Sequence, residues 1–228
     1  MKRRRAHAHD WELLLAHAAA LQAKIPGAVR VGGTAAALHA GHRISFDHDH
    51  VLAVLAANYD AAIGALESIV GWRTRRRIRG KPLLGQVAGA DAGLRRLRRS
   101  APLETTEIKL PSGATLTVPT VAEILRIKAF LLVERNATRD YLDVAALSRH
   151  LGMRQSVSAL RGLDELYAEF AGEGGDMLTS VVVKLASPDP TDLASVDLAE
   201  YKGIVPPWNR WKAVVEQCGE LAAALSAP

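Results

Sequence analysis

The sequence predicts an α/β protein of the α+β kind: a mixed sheet flanked by helices, followed by an all-helical C-terminal part. Three observations carry this. Ala28-Val29-Arg30-Val31 reads as a strand that meets a glycine pair, an Ala/Leu-rich helix from Thr34 to Ala40, and a second strand from Arg43 to Leu52. Short strand-like runs bounded by turn residues then continue to Val118. After Pro119 the apolar spacing is helical to the end of the chain. The predicted domains are therefore 1–118 and 119–228.

The elements follow in order. Trp11, Leu13, Leu14, Leu15, Ala18 and Leu21 repeat with helical spacing and predict an opening helix over 9–24. Residues 51–68 predict another helix. Trp72 to Ile78, Leu83 to Val87, Leu103 to Leu110 and Thr115 to Val118 predict strands, the last two joined by a Pro111-Ser112-Gly113 turn. Thr120 and Glu123 stand at capping-box spacing for a helix to about residue 136. A helix from Thr138 to about His150 ends at Gly152, an αL stop. Pro206-Pro207 precedes a last helix from Trp208 to about Leu225.

The chemistry concentrates in Gly32-Gly33-Thr34 and Asp47-His48-Asp49. Glycines at a strand-to-helix junction let backbone approach phosphate oxygens with no Cβ in the way. The free N–H groups and positive end of the following helix favour an anion there, and Thr34 can cap that helix or add its hydroxyl. Alternation along a strand puts Asp47 and Asp49 on one face, with Ser45 on it too. Two carboxylates about 7 Å apart suit a hard cation such as Mg²⁺ or Mn²⁺. Together the motifs supply a triphosphate cradle and a metal site.

Composition excludes several classes. In 228 residues, 49% hydrophobic and 23% charged, no apolar run approaches a membrane span. The basic start, Met1-Lys2-Arg3-Arg4-Arg5, leads into His and Asp and so is not a secretory signal. The single cysteine, Cys218, excludes an internal disulfide and a cysteine metal cage and suits a cytoplasmic location. The net charge of +5 comes mostly from two arginine runs, Arg73 to Arg79 and Arg95 to Arg99. They are either a solvated face or a footprint for a polyphosphate partner. Scarce aromatics argue against base stacking along a single strand. His39, His42, His48 and His50 raise a zinc hydrolase as a rival, but no His-Glu-x-x-His helix exists and the strand turns His48 and His50 away from Asp47 and Asp49. His42 reads as a brace for the turn.

The motif Gly32-Gly33-Thr34, Gly41-His42-Arg43-Ile44-Ser45, Asp47-His48-Asp49 resembles the signature of the AbiEii/AbiGii (MenT-type) nucleotidyltransferase toxins, a branch of the polymerase-β-like superfamily. A second block, Pro119-Thr120, Lys128, Arg135, Arg139-Asp140-Tyr141 and Asp143, is similar to that branch as well. His48 departs from the pattern, where an apolar residue is usual. The resemblance implies a nucleotidyltransferase catalytic domain, a helical domain that contributes to the active site, and a nucleoside triphosphate donor. It implies that Lys128 offsets phosphate charge and that Asp143 approaches the active site ahead of Asp140, while Arg139 and Arg135 either hold these acids or touch phosphate, Arg139 being the nucleotide-binding candidate. Pattern alone leaves Lys128 equally a surface lysine. Glu104 and Glu107 are candidates for a third metal ligand, on opposite strand faces, and a two-carboxylate site is the other reading. The resemblance further implies a toxin with an RNA acceptor, the tRNA 3′ end foremost, and a separate antitoxin protein. Transfer to a protein hydroxyl or to a small molecule such as an aminoglycoside, and a silent nucleotide- or RNA-binding member, are the alternatives.

Overall fold

A computed structural model describes residues 2–46, 48–87, 90–99, 101–170 and 176–227, with backbone alone over 2–10 and at 48. The chain forms two units, each built from two stretches: 1–35 with 45–120, and 36–44 with 121–228. The sequence predicts one cut after residue 118; the structure changes unit after Thr120 and also lends residues 36–44 to the C-terminal unit.

The first unit opens with α1 (Lys2–Lys24), β1 (Val29–Arg30) and the start of α2 (Gly32–Ala40). It continues through β2 (His48–Leu52), α3 (Tyr59–Glu67), β3 (Trp72–Arg76), β4 (Leu83–Val87), β5 (Ala90–Arg96), β6 (Thr105–Lys109) and β7 (Thr115–Pro119). Its main sheet has the order β1-β2-β5-β4-β3, and β6 and β7 form a separate hairpin. Only β2 and β5 run parallel, with Asp49 opposite Gly93; the other neighbours are antiparallel. A parallel pair needs a long crossover, and α3, β3 and β4 supply it. One face of this sheet meets a core of Leu21 from α1, Ile25 just after it, Leu52, Leu55, Leu66, Leu83 and Leu94. The other face carries Asp49, Leu84, Gln86 and Asp91, all at least partly exposed.

Two local expectations fail here for physical reasons. The helix expected over 51–68 is only Tyr59–Glu67, because Val51 and Leu52 pair with Arg95 and Arg96 as strand. The strand expected from Arg43 starts at His48. Before it, the Ile44 N–H donates to the Lys202 carbonyl at 2.7 Å and the His42 carbonyl accepts from Val205 N–H at 3.0 Å, so this backbone is taken up within the second unit.

The second unit is helical: the end of α2, then α4 (Val121–Arg135), α5 (Thr138–Leu151), α6 (Met153–Leu160), α7 (Leu163–Leu166), α8 (Met177–Ala186) and α9 (Trp211–Ser226). Its core gathers Leu125, Leu132, Leu142, Leu147, Val181, Val214, Cys218 and Leu221, all buried. Phe130 stacks on Tyr167 with ring centroids 4.2 Å apart. Helix α5 lies inside this bundle, so even its polar residues Asp140, Asp143 and Ser148 are buried. Gly152 ends it at φ 89°, ψ 147°, a positive-φ stop that is extended rather than αL.

Candidate active site

Helix α2 begins at Gly32 itself, with φ 76°, a conformation that glycine adopts without strain. Its first N–H groups lack intrahelical acceptors by construction. Beneath the turn, Arg30 Nη2 donates to Thr34 Oγ1 at 2.7 Å, and Thr34 Oγ1 donates to the Ser45 carbonyl at 3.1 Å. Arg30, Thr34 and Ser45 are all buried. Thr34 thus braces the turn from inside. Ser45 likewise lies before the strand and lends its carbonyl to the brace, rather than its hydroxyl to a strand face.

Asp49 sits on β2 beside this turn. The Val31 N–H donates to its carbonyl at 2.9 Å, which ties β1 to the acid. Its carboxylate fits between two glycines. A Cβ on Gly32 would lie 3.2 Å from Asp49 Oδ2, and one on Gly93 would lie 3.3 Å from Oδ1. Its ion partner is Arg95 Nε, 3.4 Å from Oδ1, with the two side chains 49% and 31% exposed. A partly solvated carboxylate held by one long contact, with room on both flanks, is a donor that a hard divalent cation can take. The residues present fit Mg²⁺ or Mn²⁺ in that respect. Among the described residues no three His, Cys, Asp or Glu side chains gather as a metal cage. The expected partner ligand, Asp47, lies outside the described residues. His50 is buried, on the side opposite Asp49.

The second unit holds a different arrangement. Asp143, fully buried, accepts from Arg43 Nε at 2.9 Å, from Arg43 Nη2 at 3.0 Å and from Lys128 Nζ at 2.6 Å. His42 Nε2 lies 2.8 Å from its Oδ1. Lys128 Nζ also reaches Asp140 Oδ1 at 3.1 Å, and Arg135 grips Asp140 with Nε at 3.0 Å and Nη2 at 2.8 Å. Burial alone would raise the Asp143 carboxyl, but Arg43, Lys128 and His42 outweigh it and hold the group well below the usual carboxylate range. Burial lowers the His42 imidazole, more than Asp143 raises it. A neutral His42 then donates from Nε2.

These placements sort the predicted residues. Gly32, Gly33, Thr34, Ser45 and Asp49 come together in the first unit, and Lys128, Asp140 and Asp143 in the second. Lys128 is buried on two carboxylates, neither on a polar surface stripe nor open to phosphate. Asp140 pairs with Arg135, whereas Arg139 is exposed. Glu107 lies on β6 and Glu104 just before it, both exposed and outside the five-stranded sheet that carries Asp49. Three contributors escaped the sequence reading: Arg30, Gly93 and Arg95. For the last two a signal existed, since Asp91, Gly93 and Arg95 alternate with Ala92 and Leu94, a period-two strand hidden by its basic end.

Comparison with solved structures places the fold. MenT4, a nucleotidyltransferase toxin from Mycobacterium tuberculosis H37Rv, aligns with a TM-score of 0.60 at 18% identity, covering 100% of this chain and 88% of that one. JHP933 from Helicobacter pylori aligns with a TM-score of 0.54 at 16% identity, covering 96% and 91%. The antibiotic-resistance factor ANT(2'')-Ia gives 0.53 at 12% identity, covering 69% and 93%. The chain has the MenT-type nucleotidyltransferase fold. No family model matches the chain. Among curated proteins, the heme uptake protein MmpL11 of Mycobacterium tuberculosis is 34% identical over 128 residues, 56% of this chain and 13% of that protein. The mycolic acid-containing lipids exporter MmpL11 of Mycolicibacterium smegmatis is 29% identical over 160 residues, 70% and 16%. The chain thus spans only 13–16% of the length of these relatives. Among the described residues no helix is long and apolar enough to cross a membrane.

Proposed function

We propose that the chain is a metal-dependent nucleotidyltransferase that moves a nucleoside monophosphate from a triphosphate to an RNA hydroxyl, the tRNA 3′ end foremost, as a toxin restrained by a separate antitoxin protein in the cytoplasm. The observation that carries the reading is the Asp49 carboxylate, partly exposed between Gly32 and Gly93 beside the first turn of α2.

Asp47 and Asp49 hold the divalent cation, Mg²⁺ or Mn²⁺, which supplies activation of the acceptor hydroxyl and charge neutralisation on the triphosphate. Gly32 and Gly33 present backbone N–H groups to the β- and γ-phosphates. Thr34, fixed from below by Arg30, keeps that turn in shape. The acceptor oxygen bonds to the α-phosphorus, the α–β bridging bond breaks, pyrophosphate leaves and the proton passes to solvent. In the second unit Asp143 and Lys128 act by position. They fix His42 and Arg43 on the segment that leads to Asp47.

The test is incubation of the full chain with Mg²⁺, each α-labelled triphosphate and total tRNA. Label in RNA supports the reading. Label in protein or in an aminoglycoside moves the acceptor to the second class, which the likeness to ANT(2'')-Ia keeps in view at the level of fold. Wild-type protein that labels none of these, with any triphosphate, overturns transferase activity. Asp47→Ala should abolish labelling in a protein that still folds.

A further inference from the structure

The face of the sheet that bears Asp49 continues as a row of arginines. Across the strands the register runs Asp49, Gly93, Leu84, Arg76, and the next row runs Asp91, Gln86, Arg73. A register shift between Thr74 and Arg76 brings Arg76 opposite Leu84. Strands lie about 4.8 Å apart, so Arg76 stands about 14 Å from Asp49 along the row. Arg95 fills the interval on β5, next to the acid.

The arginines in this region differ in what they already hold. Arg75 pairs with Asp91 at 3.1 Å, Arg77 with Glu67 at 3.6 Å, and Arg79 with Asp60. Arg73 and Arg76 are exposed, and among the described residues neither has a carboxylate in ion-pair range. Two unneutralised guanidinium groups on an edge strand repel one another and the rest of the run. A polyanion relieves that repulsion, and guanidinium forks match phosphate oxygens. Between Arg76 and the acid the row bears only Leu84 and the bare Gly93, so an extended strand meets no bulky ring there; in the row of Arg73 stand Gln86 and Asp91, whose charge Arg75 offsets.

We propose that this open face, from Arg95 beside Asp49 to Arg73 and Arg76 on β3, holds the phosphodiester backbone of the RNA acceptor. The direction of the track rests on the transferase reading of Asp49; the binding surface does not. Contacts of this kind read no sequence, so affinity is electrostatic and salt-dependent.

The experiment measures anisotropy of fluorescein-labelled unfractionated tRNA against the full chain between 50 and 200 mM salt, without nucleotide or metal. The variants are Arg73→Ala/Arg76→Ala, the corresponding double glutamate, and Arg77→Ala/Arg79→Ala, which removes equal charge from paired arginines. The first pair should weaken binding about tenfold or more and lower the salt slope by about 1.4–1.8. The glutamates should weaken it further, and the control pair should leave the slope unchanged. Unchanged thermal midpoints show that the variants fold. Wild-type protein that does not bind tRNA at 50 mM salt overturns the proposal. Equal losses from both alanine pairs, or binding to phosphatidylglycerol vesicles in place of tRNA, overturn it too. Transfer assays separate the two readings. RNA labelled with unchanged KM by the Arg73/Arg76 variants keeps the enzyme and removes the surface. Binding lost on substitution while wild type labels no RNA keeps the surface and removes the enzyme.

Discussion

Asp49 and Asp143 are both acids at positions that nucleotidyl transfer makes interesting, yet their surroundings are opposite. Asp143 is fully buried and contacts Arg43, Lys128 and His42 at 2.6–3.0 Å. Asp49 is 31% exposed and its ion pair is 3.4 Å long. The first carboxylate is already committed to its own protein; the second is available to something that arrives. Under the proposed function the contrast gives stability to one acid and chemistry to the other, and substitution tests each half.

The largest effect should come from Asp143→Ala. It leaves the buried Lys128 and the half-buried Arg43 without the acid they share. Breaking such a cluster costs about 3–5 kcal/mol, read as a drop in the urea midpoint at constant m-value. Arg43→Met and Lys128→Met combined with Asp143→Leu should recover much of that, because apolar side chains of similar volume then replace the acid and both of its cations together. A fully stable Asp143→Ala with impaired transfer would reverse the assignment.

Asp49→Asn should do the converse. Transfer should fall by a factor on the order of 10²–10³, the loss typical of one charge-stabilising group. Stability should hold within about 0.5 kcal/mol, as for other partly exposed polar positions. Thermal melts and single-turnover labelling on one preparation give both numbers.

Gly93→Ala is smaller and sharper. Its Cβ would sit 3.3 Å from Asp49 Oδ1 and from Leu84 Cδ2, so the carboxylate must shift by a few tenths of an ångström. A misplacement of that size should lower transfer by roughly tenfold and raise the Mg²⁺ concentration needed, with the fold retained. Unchanged activity would mean that the carboxylate is free to move and that the flanking glycines do not aim it.

The half of this contrast nearest the motif was legible in the sequence; the other half was not. Gly32, Gly33 and Asp49 lie within eighteen residues, and strand alternation already separates Asp49 from the buried His50. Local periodicity likewise finds α4, α5 and the β6–β7 hairpin. Long-range partners leave no such trace. His42 and Arg43 meet Asp143 across about a hundred residues, so a lysine among leucines on α4 reads equally as surface or site. The buried arginine brace under Thr34 is hidden for a related reason: nothing in Val29-Arg30-Val31 reveals which face of a two-residue strand is inside. Strand β5 was legible but masked, since its arginines drew the eye to charge rather than to period.

The smallest effect probes the buried side of the comparison by pH alone. His42 titrates below its ordinary 6.5 in the folded chain, because burial lowers it more than Asp143 raises it. The unfolded chain therefore takes up that proton first, and stability that is whole above pH 6.5 declines as pH falls. The Asp143 carboxyl is held well below its ordinary 3.8, so a second decline follows in the carboxylate range, in the same direction. For one proton the slope is at most about 1.4 kcal/mol per pH unit. Urea unfolding at pH 8.0, 6.5, 5.5, 4.5 and 3.0 should give a plateau from these groups followed by the two declines. His42→Gln, which keeps a donor for Asp143 but does not titrate, should remove the step between 6.5 and 5.5 and leave the lower one. Stability that rises on acidification through 6.5 would mean a charged imidazole in the folded cluster. Three cations would then face Asp143, and its neutral hydrogen bond would have to be replaced by an ion pair.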